Sequence, residues 1–522
     1  MTTAPPLASS LATSLLERLD NHLNPILVKE LRQAVKNRVV LGILSFFLLF
    51  QLLMLVLGVT ASSSEQELWS GGVRVFTAQQ MILLFTILTA LPAYAGTRML
   101  GERTDPDSDL MFLTTLSPAS IIWGKLLGCL TLGFLVFSVC APFMTLAYLL
   151  RGIDLLTIFV ILAFDLLLML LTMQFALFSA LLPGGLLIKR IAAGIGFIGL
   201  LLFSYFLMFV FARSIETGFG DLLEALFLIV PILGLFGYFL VYSIALVSAP
   251  SANSMFIVRT YMALAVVVVA LMLVLPITTL AGLTSSRGFP AEVVPTLFVY
   301  CFAPFFCIQI LVSVCERDHW GPRITRTIPR WLIVRGIAFL FYSGSAGGVL
   351  YSAGMLAVTF AIAGYLAFTA PSTVAYDTQD LFPILILVLY TYCFCITGWL
   401  LRSLLPPTQL RPENTWILVA ILLGVLSALP NVIAYSIHGD RMNQDSFAWW
   451  NLTNPFYFIS SRITGIGHRG SHDDVLSVFL GLWAAGVTFL ALPQFFGQFF
   501  RFARPQAEVV YERAQVINEL PA

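Results

Sequence analysis

"NPILVKELRQAVKNRVVLGILSFFLLFQLLMLVLGVTA", Asn24 to Ala61, reads as two kinds of helix placed back to back. From Val39 to Ala61 there is no charged residue, and about 20 mostly apolar residues are what an α-helix needs to cross a bilayer. The residues before it follow another pattern. Asn24 can cap a helix and Pro25 suits the first helical position. On a helical wheel Leu27, Val28, Leu31, Ala34 and Val35 share one arc, while Lys29, Glu30, Arg32, Gln33, Lys36 and Asn37 fill the other side. Ile26 and Arg38 break the pattern. A basic, two-faced helix of this kind lies in the membrane interface with its apolar side down. The alternative is a straight extension of the first span, and the two differ in whether the chain bends at the membrane surface.

The rest of the chain repeats the apolar theme. Of 522 residues, 59% are hydrophobic and only 11% charged, against about a quarter charged in soluble domains, and the mean hydropathy is +0.93. The composition therefore predicts an all-α polytopic membrane protein. Twelve spans are expected, over 39–61, 75–97, 120–149, 155–182, 191–212, 225–248, 260–282, 293–315, 337–368, 381–401, 415–436 and 475–497. Prolines lie inside many of them, including Pro92, Pro142, Pro231, Pro276, Pro304, Pro430 and Pro493, which is tolerated where neighbouring helices satisfy the freed carbonyls. A net charge of +1 gives no basic field for nucleic acid. The first twenty residues lack a charged start followed by an apolar core, so no cleavable signal is expected. The seven cysteines fall in or at the ends of apolar runs without zinc-ligand spacing, which reads as small buried residues.

Lys and Arg orient the spans. With both termini in the cytoplasm, 21 of the 28 basic residues fall on the inside and 7 on the outside, a threefold bias toward N-in/C-in. The expected organisation is a cytoplasmic tail and interface helix (1–38), a first six-helix unit (39–255), a second (256–497) and a cytoplasmic tail (498–522).

"GERTDPDSDLMFLTTLSP", Gly101 to Pro118, is then a cytoplasmic connector between the second and third spans. Asp105 can cap a helix begun by Pro106, and Asp107 and Asp109 meet the positive end of its dipole. Ser117 precedes a proline, so that helix should end near Leu116. Leu110, Phe112, Leu113 and Leu116 fall on one side, a face that must be covered by lipid, the protein body or a partner. A capped connector with no partner is the plainer alternative.

These stretches resemble the start of the type-2 ABC exporter permeases. The resemblance rests on Lys29-Glu30-Leu31-Arg32 in the interface helix, and on Glu102-Arg103, Leu116-Ser117-Pro118 and Gly124-Lys125 around the connector. It covers residues 24–150; beyond that it rests on span count. It implies the membrane subunit of an ATP-driven exporter in a prokaryotic cytoplasmic membrane. The connector would be a coupling helix, with Glu102, Arg103, Asp105, Leu110, Leu113 and Leu116 docking a separate ABC ATPase subunit. Lys29, Glu30, Arg32 and Lys36 would belong to the interface helix. ATP would act through the partner, with no cofactor bound by this chain. A second permease chain is a further partner the resemblance leaves open.

The second half echoes the first weakly. "CERDHWGPRITRTIPRWLIVR", Cys315 to Arg335, again begins with Glu-Arg after a span and again holds a late proline. Its five arginines read equally as a positive-inside anchor or a site for lipid head groups. Gly344 and Gly348 form a small-xxx-small pair, which predicts close helix contact. The loop 437–474 is aromatic enough to enter the interface, and the resemblance implies a short re-entrant helix there, which Asn454-Pro455 would start.

Other chemistry is sparse. No phosphate-binding Gly-x-x-x-x-Gly-Lys-Ser/Thr, Gly-x-Ser-x-Gly or His-Glu-x-x-His occurs, so no enzyme activity is expected. His468 and His472 beside Asp473 and Asp474 are more simply solvated loop-end residues than a metal site. Asp165 is the one acid deep within a span. It is a proton or substrate candidate by default, with pairing to a Gln or Ser of another helix as the rival. A major-facilitator-like secondary transporter, driven by an ion gradient, is the competing function: it also has twelve spans with both ends inside. Asp318-His319-Trp320-Gly321-Pro322-Arg323 matches part of that family's loop motif, but Val314 stands where its first glycine belongs and the 98–119 segment does not match it.

Overall fold

The computed structural model describes residues 24–61, 68–104, 117–149, 154–182, 194, 196–205, 222–249, 252–279, 293–318, 320–369, 381–406, 410–438, 449–458 and 471–504. Asp105, Leu110, Leu113 and Leu116 lie outside the described residues, as does His468, and of Arg103 only the backbone is described. Every regular element among the described residues is helical. The chain divides into two compact units, Met1–Ala249 and Pro250–Ala522.

The first unit opens with α1 (Pro25–Lys36) and α2 (Arg38–Ala61). A continuous helical rod follows, made of α3 (Leu68–Phe85), a π-helical turn (Thr86–Ala90) and α4 (Leu91–Thr104). Next come α5 (Pro118–Leu149), α6 (Leu155–Leu181), the short apolar α7 (Gly196–Tyr205) and α8 (Leu222–Val247). α4 packs on α6 and α6 on α8, while α2 and α5 both pack on α3. Phe47, Phe76, Leu83, Leu84, Ile87, Ile122 and Met169 fill the interior. Gly133 of α5 lets the Met169 thioether lie where a Cβ would stand. The outer surface is apolar too: α2 exposes Leu41, Phe46, Leu49 and Val56. Exposed apolar area on this scale needs a non-aqueous neighbour, so this is a membrane-embedded protein.

The second unit comprises α9 (Ser254–Thr279), α10 (Val293–Val314), α11 (Leu332–Phe341), α12 (Ser345–Thr369), α13 (Phe382–Leu404), α14 (Thr415–His438) and α15 (Ser471–Arg501). α10 packs most extensively on α12, and α13 packs on α10, α14 and α15. Counting the six expected spans of each unit in order, the helix at the second packs on that at the fourth, and that at the fourth on that at the sixth, in both. Among the described residues nine helices are long and apolar enough to cross a membrane: α2, the α3–α4 rod, α5, α6, α9, α12, α13, α14 and α15. α7, α8 and α10 fall on three further expected spans.

Two local expectations need revision. Gly344 and Gly348 do not form a helix-packing pair, because Gly344 precedes α12 and has φ +152°. Gly348 is the packed one: a Cβ there would meet Arg259 Nη2 and Ser313 Oγ. The buried side of α1 is also rotated from the expected arc. Ile26, Leu27, Glu30 and Ala34 are buried, whereas Val35 is 86% exposed. The cause is α5, on which α1 packs: protein rather than lipid covers the Glu30 side.

Candidate functional site

α1 begins as its sequence dictates. The Asn24 side chain accepts a hydrogen bond from Ile26 N at 3.0 Å, and its amide donates to Ser120 O at 2.6 Å. The helix stops at Asn37, whose φ −86° and ψ 121° are extended. α1 is therefore a separate helix that bends away from α2, not a straight extension of it. Asn37 Oδ1 accepts from Val39 N at 2.9 Å and so caps α2.

Two glycines one turn apart on α5 seat α1. A Cβ on Gly124 would lie 2.8 Å from the Ile26 Cβ, and one on Gly128 2.9 Å from the Glu30 Cβ. Between them Lys125 is buried. Its ammonium reaches Glu30 Oε1 at 2.8 Å and also bonds Glu102 Oε2. Glu30 Oε2 lies 2.9 Å from Arg98 Nη2, and Lys29 lies 3.6 Å from Glu102 Oε1. Arg98 also bonds Gln33 and donates to Tyr94 Oη at 2.9 Å. Two carboxylates and three cations thus tie α1, the end of α4 and the first turns of α5 into one knot. A cavity of about 20 Å³ beside Glu30, Tyr94, Arg98 and Lys125 has room for one water. Such a network is sensitive to loss of any one partner, since an uncompensated buried charge is costly.

Of the residues singled out from the sequence, Lys29, Glu30 and Glu102 converge here. Arg32 and Lys36 are exposed. Arg98, Lys125 and Tyr94 were not foreseen as site residues. A lone lysine inside an otherwise uncharged apolar run was the available signal.

The second unit builds a different knot at the corresponding place in its chain order. The Arg259 guanidinium, fully buried, donates to Glu316 Oε1 at 2.6 Å, to Leu340 O at 3.0 Å and to Tyr342 O. Glu316 Oε2 accepts from Gly344 N at 2.6 Å. Burial pushes the Glu316 carboxyl above its ordinary range, and Arg259 and the Gly344 N–H pull against that. Asp318 accepts from Ser345 Oγ at 2.6 Å and from Arg402 Nη2 at 2.9 Å. Gln498 Oε1 accepts from Ala346 N at 2.9 Å. Asp318 and Gln498 therefore cap the start of α12, where the helix leaves N–H groups unpaired and negative charge is favoured. Of the five arginines in 316–335, Arg317 pairs at the surface with Glu413, and Arg335 donates to Phe499 O at 2.7 Å. Arg323, Arg326 and Arg330 are exposed.

Asp165 is fully buried in α6, and its Oδ2 accepts from Gln80 Nε2 of α3 at 2.6 Å. This is the pairing with a glutamine of another helix that stood as the rival to a transport role. Among the described residues no group of three or more His, Cys, Asp or Glu is assembled. No family model, curated protein or solved structure matches the chain.

Proposed function

We propose that this chain is the membrane-spanning permease component of an ATP-driven ABC-type exporter, with twelve spans, both termini cytoplasmic and two six-helix units. The observation that supports the reading is the Lys125 knot. It joins an interface helix to the residue, Glu102, from which the polar 105–116 segment departs, and to the helix that the segment enters. A push on that segment would reach α1, α4 and α5 together, which is what a coupling helix requires. In this reading Asp105, Leu110, Leu113 and Leu116 meet a separate ATPase, and the basic bias places the knot on the cytoplasmic side.

The acids that begin the corresponding segment in the second unit, Glu316 and Asp318, are consumed by internal contacts. That supports an asymmetric arrangement in which the first unit carries the ATPase contact.

Affinity purification of the full chain from its native membrane tests this. An ABC ATPase that co-purifies, and is lost on Leu113→Asp, is the expected result. Transport driven by an ion gradient, with no ATPase bound, would overturn the reading in favour of a secondary transporter.

A further inference from the structure

The Asp165–Gln80 pair sits in a polar layer that the coupling knot does not explain. Gln51 of α2, Gln79 and Gln80 of α3, Cys140 of α5 and Asp165 of α6 are all buried. Gln51 Nε2 donates to Gln79 O at 3.1 Å and lies 3.8 Å from Cys140 Sγ, and Cys140 is close enough to Asp165 to feel its charge. These residues stand at one level. Each is about ten residues, or about 15 Å of helix, from the helix end at Ala61, Leu68, Leu149 or Leu155.

The bonding within this layer is unbalanced. Asp165 Oδ1 and the side-chain oxygens of Gln51, Gln79 and Gln80 are buried and have no hydrogen-bond partner among the described residues, and on the donor side only Gln79 Nε2 is left over. Buried polar atoms are normally satisfied, so a surplus of acceptors calls for a donor or a positive charge. No Lys, Arg or His forms an ion pair with Asp165 among the described residues, and Cys140 is the titratable group close enough to feel its charge. A bare carboxylate in such a place is strongly disfavoured. The neighbouring π-helical turn, Thr86–Ala90, is a departure from α geometry that often accompanies functional positions.

We infer that this layer is an intramembrane binding site for one monovalent cation, with the Asp165 carboxylate as its charged ligand and orphaned glutamine oxygens around it. A single carboxylate matches a single positive charge. The two sources are a proton, held on Asp165 Oδ1 and donated to an amide oxygen, and a sodium ion, held by the oxygens together. The inference does not depend on the ATPase reading.

Two measurements on the purified full-length protein in nanodiscs test it. Infrared spectra are recorded through a pH titration, and thermal unfolding is compared in sodium chloride and choline chloride at equal ionic strength. A protonated-carboxyl band that persists at neutral pH and vanishes in Asp165→Asn assigns the proton. A melting temperature a few degrees higher in sodium, with the gain lost in Asp165→Asn, assigns sodium. Gln80→Leu, which leaves the carboxylate in place, should shift the band's titration or weaken the sodium gain. If neither the band nor the sodium gain distinguishes the wild type from Asp165→Asn, the site is overturned and the pair is a packing contact.

Discussion

Lys125 Nζ lies 2.8 Å from Glu30 Oε1, joining residues 95 positions apart, and both side chains are at least nine-tenths buried. Removing one partner from such a pair costs about 3–5 kcal/mol when the other is left alone. Here Arg98 stays 2.9 Å from Glu30, so Lys125→Met should fall at the low end, about 3 kcal/mol. Glu30→Gln strands Lys125 less, because Glu102 still holds it. The double variant should be less destabilised than the two single losses added together, as expected for residues in contact. Denaturation in detergent micelles reads all three.

The seat of α1 depends on missing side chains. Gly128→Val places carbon where the Glu30 Cβ already lies within 2.9 Å, and overpacking of this kind costs about 1–3 kcal/mol. Gly42→Ala in α2 meets nothing within 4 Å, and an exposed helical glycine gains about 0.5–1 kcal/mol on becoming alanine. Opposite signs for the two changes in a thermal-shift assay are expected. A stable Gly128→Val protein would mean that α1 is not docked on α5.

This contrast also marks what the sequence makes legible. The start of α1 at Asn24-Pro25 is local chemistry and reads directly, and so do the long apolar runs. The face that α1 buries does not read directly. Glu30 belongs to the polar arc until Lys125 arrives from 95 residues away, and only then is it cheaper inside than outside. Ile26 looks like a break in the pattern for the same reason: its partner is the bare backbone at Gly124. The Glu316-Arg317 echo of Glu102-Arg103 holds in position but not in partnership. Glu102 is held by Lys125 from the helix after its own, α5, and by Lys29 of α1, whereas Glu316 is held by Arg259 of α9, the helix before α10. Leu110, Leu113 and Leu116, expected from the sequence to dock a partner, lie outside the described residues.

Arg259→Met leaves Glu316 buried with the Gly344 N–H as its remaining hydrogen-bond donor. A loss of about 3–5 kcal/mol is expected at neutral pH. The loss should shrink on acidification. Burial already raises the Glu316 carboxyl, and removing Arg259 raises it further, so the folded state binds this proton more tightly than the unfolded chain does. The favourable contribution is then complete below the unfolded carboxylate value and fades as pH rises through the folded one. Melting temperatures of wild type and variant, measured from mildly acidic to neutral pH, should diverge as pH rises. Parallel curves would refute the argument.

Gly344 holds a backbone conformation that side chains resist. Its φ is +152°, and a Cβ would also stand 3.1 Å from Trp320 Cζ2. Gly344→Ala should cost about 1–3 kcal/mol from strain alone. It should also tilt the N–H away from Glu316, so the loss in Gly344→Ala combined with Glu316→Gln should be less than additive. Thermal denaturation of the single and double variants checks both statements.

Asn37 decides whether α1 stays a separate helix. Its side-chain oxygen caps Val39 N at 2.9 Å, and its extended backbone turns the chain out of α1. Its amide also lies 3.4 Å from Tyr94 Oη, the same hydroxyl that accepts from Arg98, so the bend is tied to the charge knot. Asn37→Ala loses the cap, worth about 1 kcal/mol, and keeps room for the bend. Asn37→Leu loses the cap and adds a strong helix former, which favours running α1 straight into α2. A straight helix would carry Glu30 away from Lys125. Spin labels on Arg32 and on the exposed Trp123 of α5 report that movement. Wild type and Asn37→Ala should give one short distance, and Asn37→Leu should add a longer population. A single unchanged distance in Asn37→Leu would show that the Gly124–Gly128 seat and the Lys125 knot hold α1 without help from its cap.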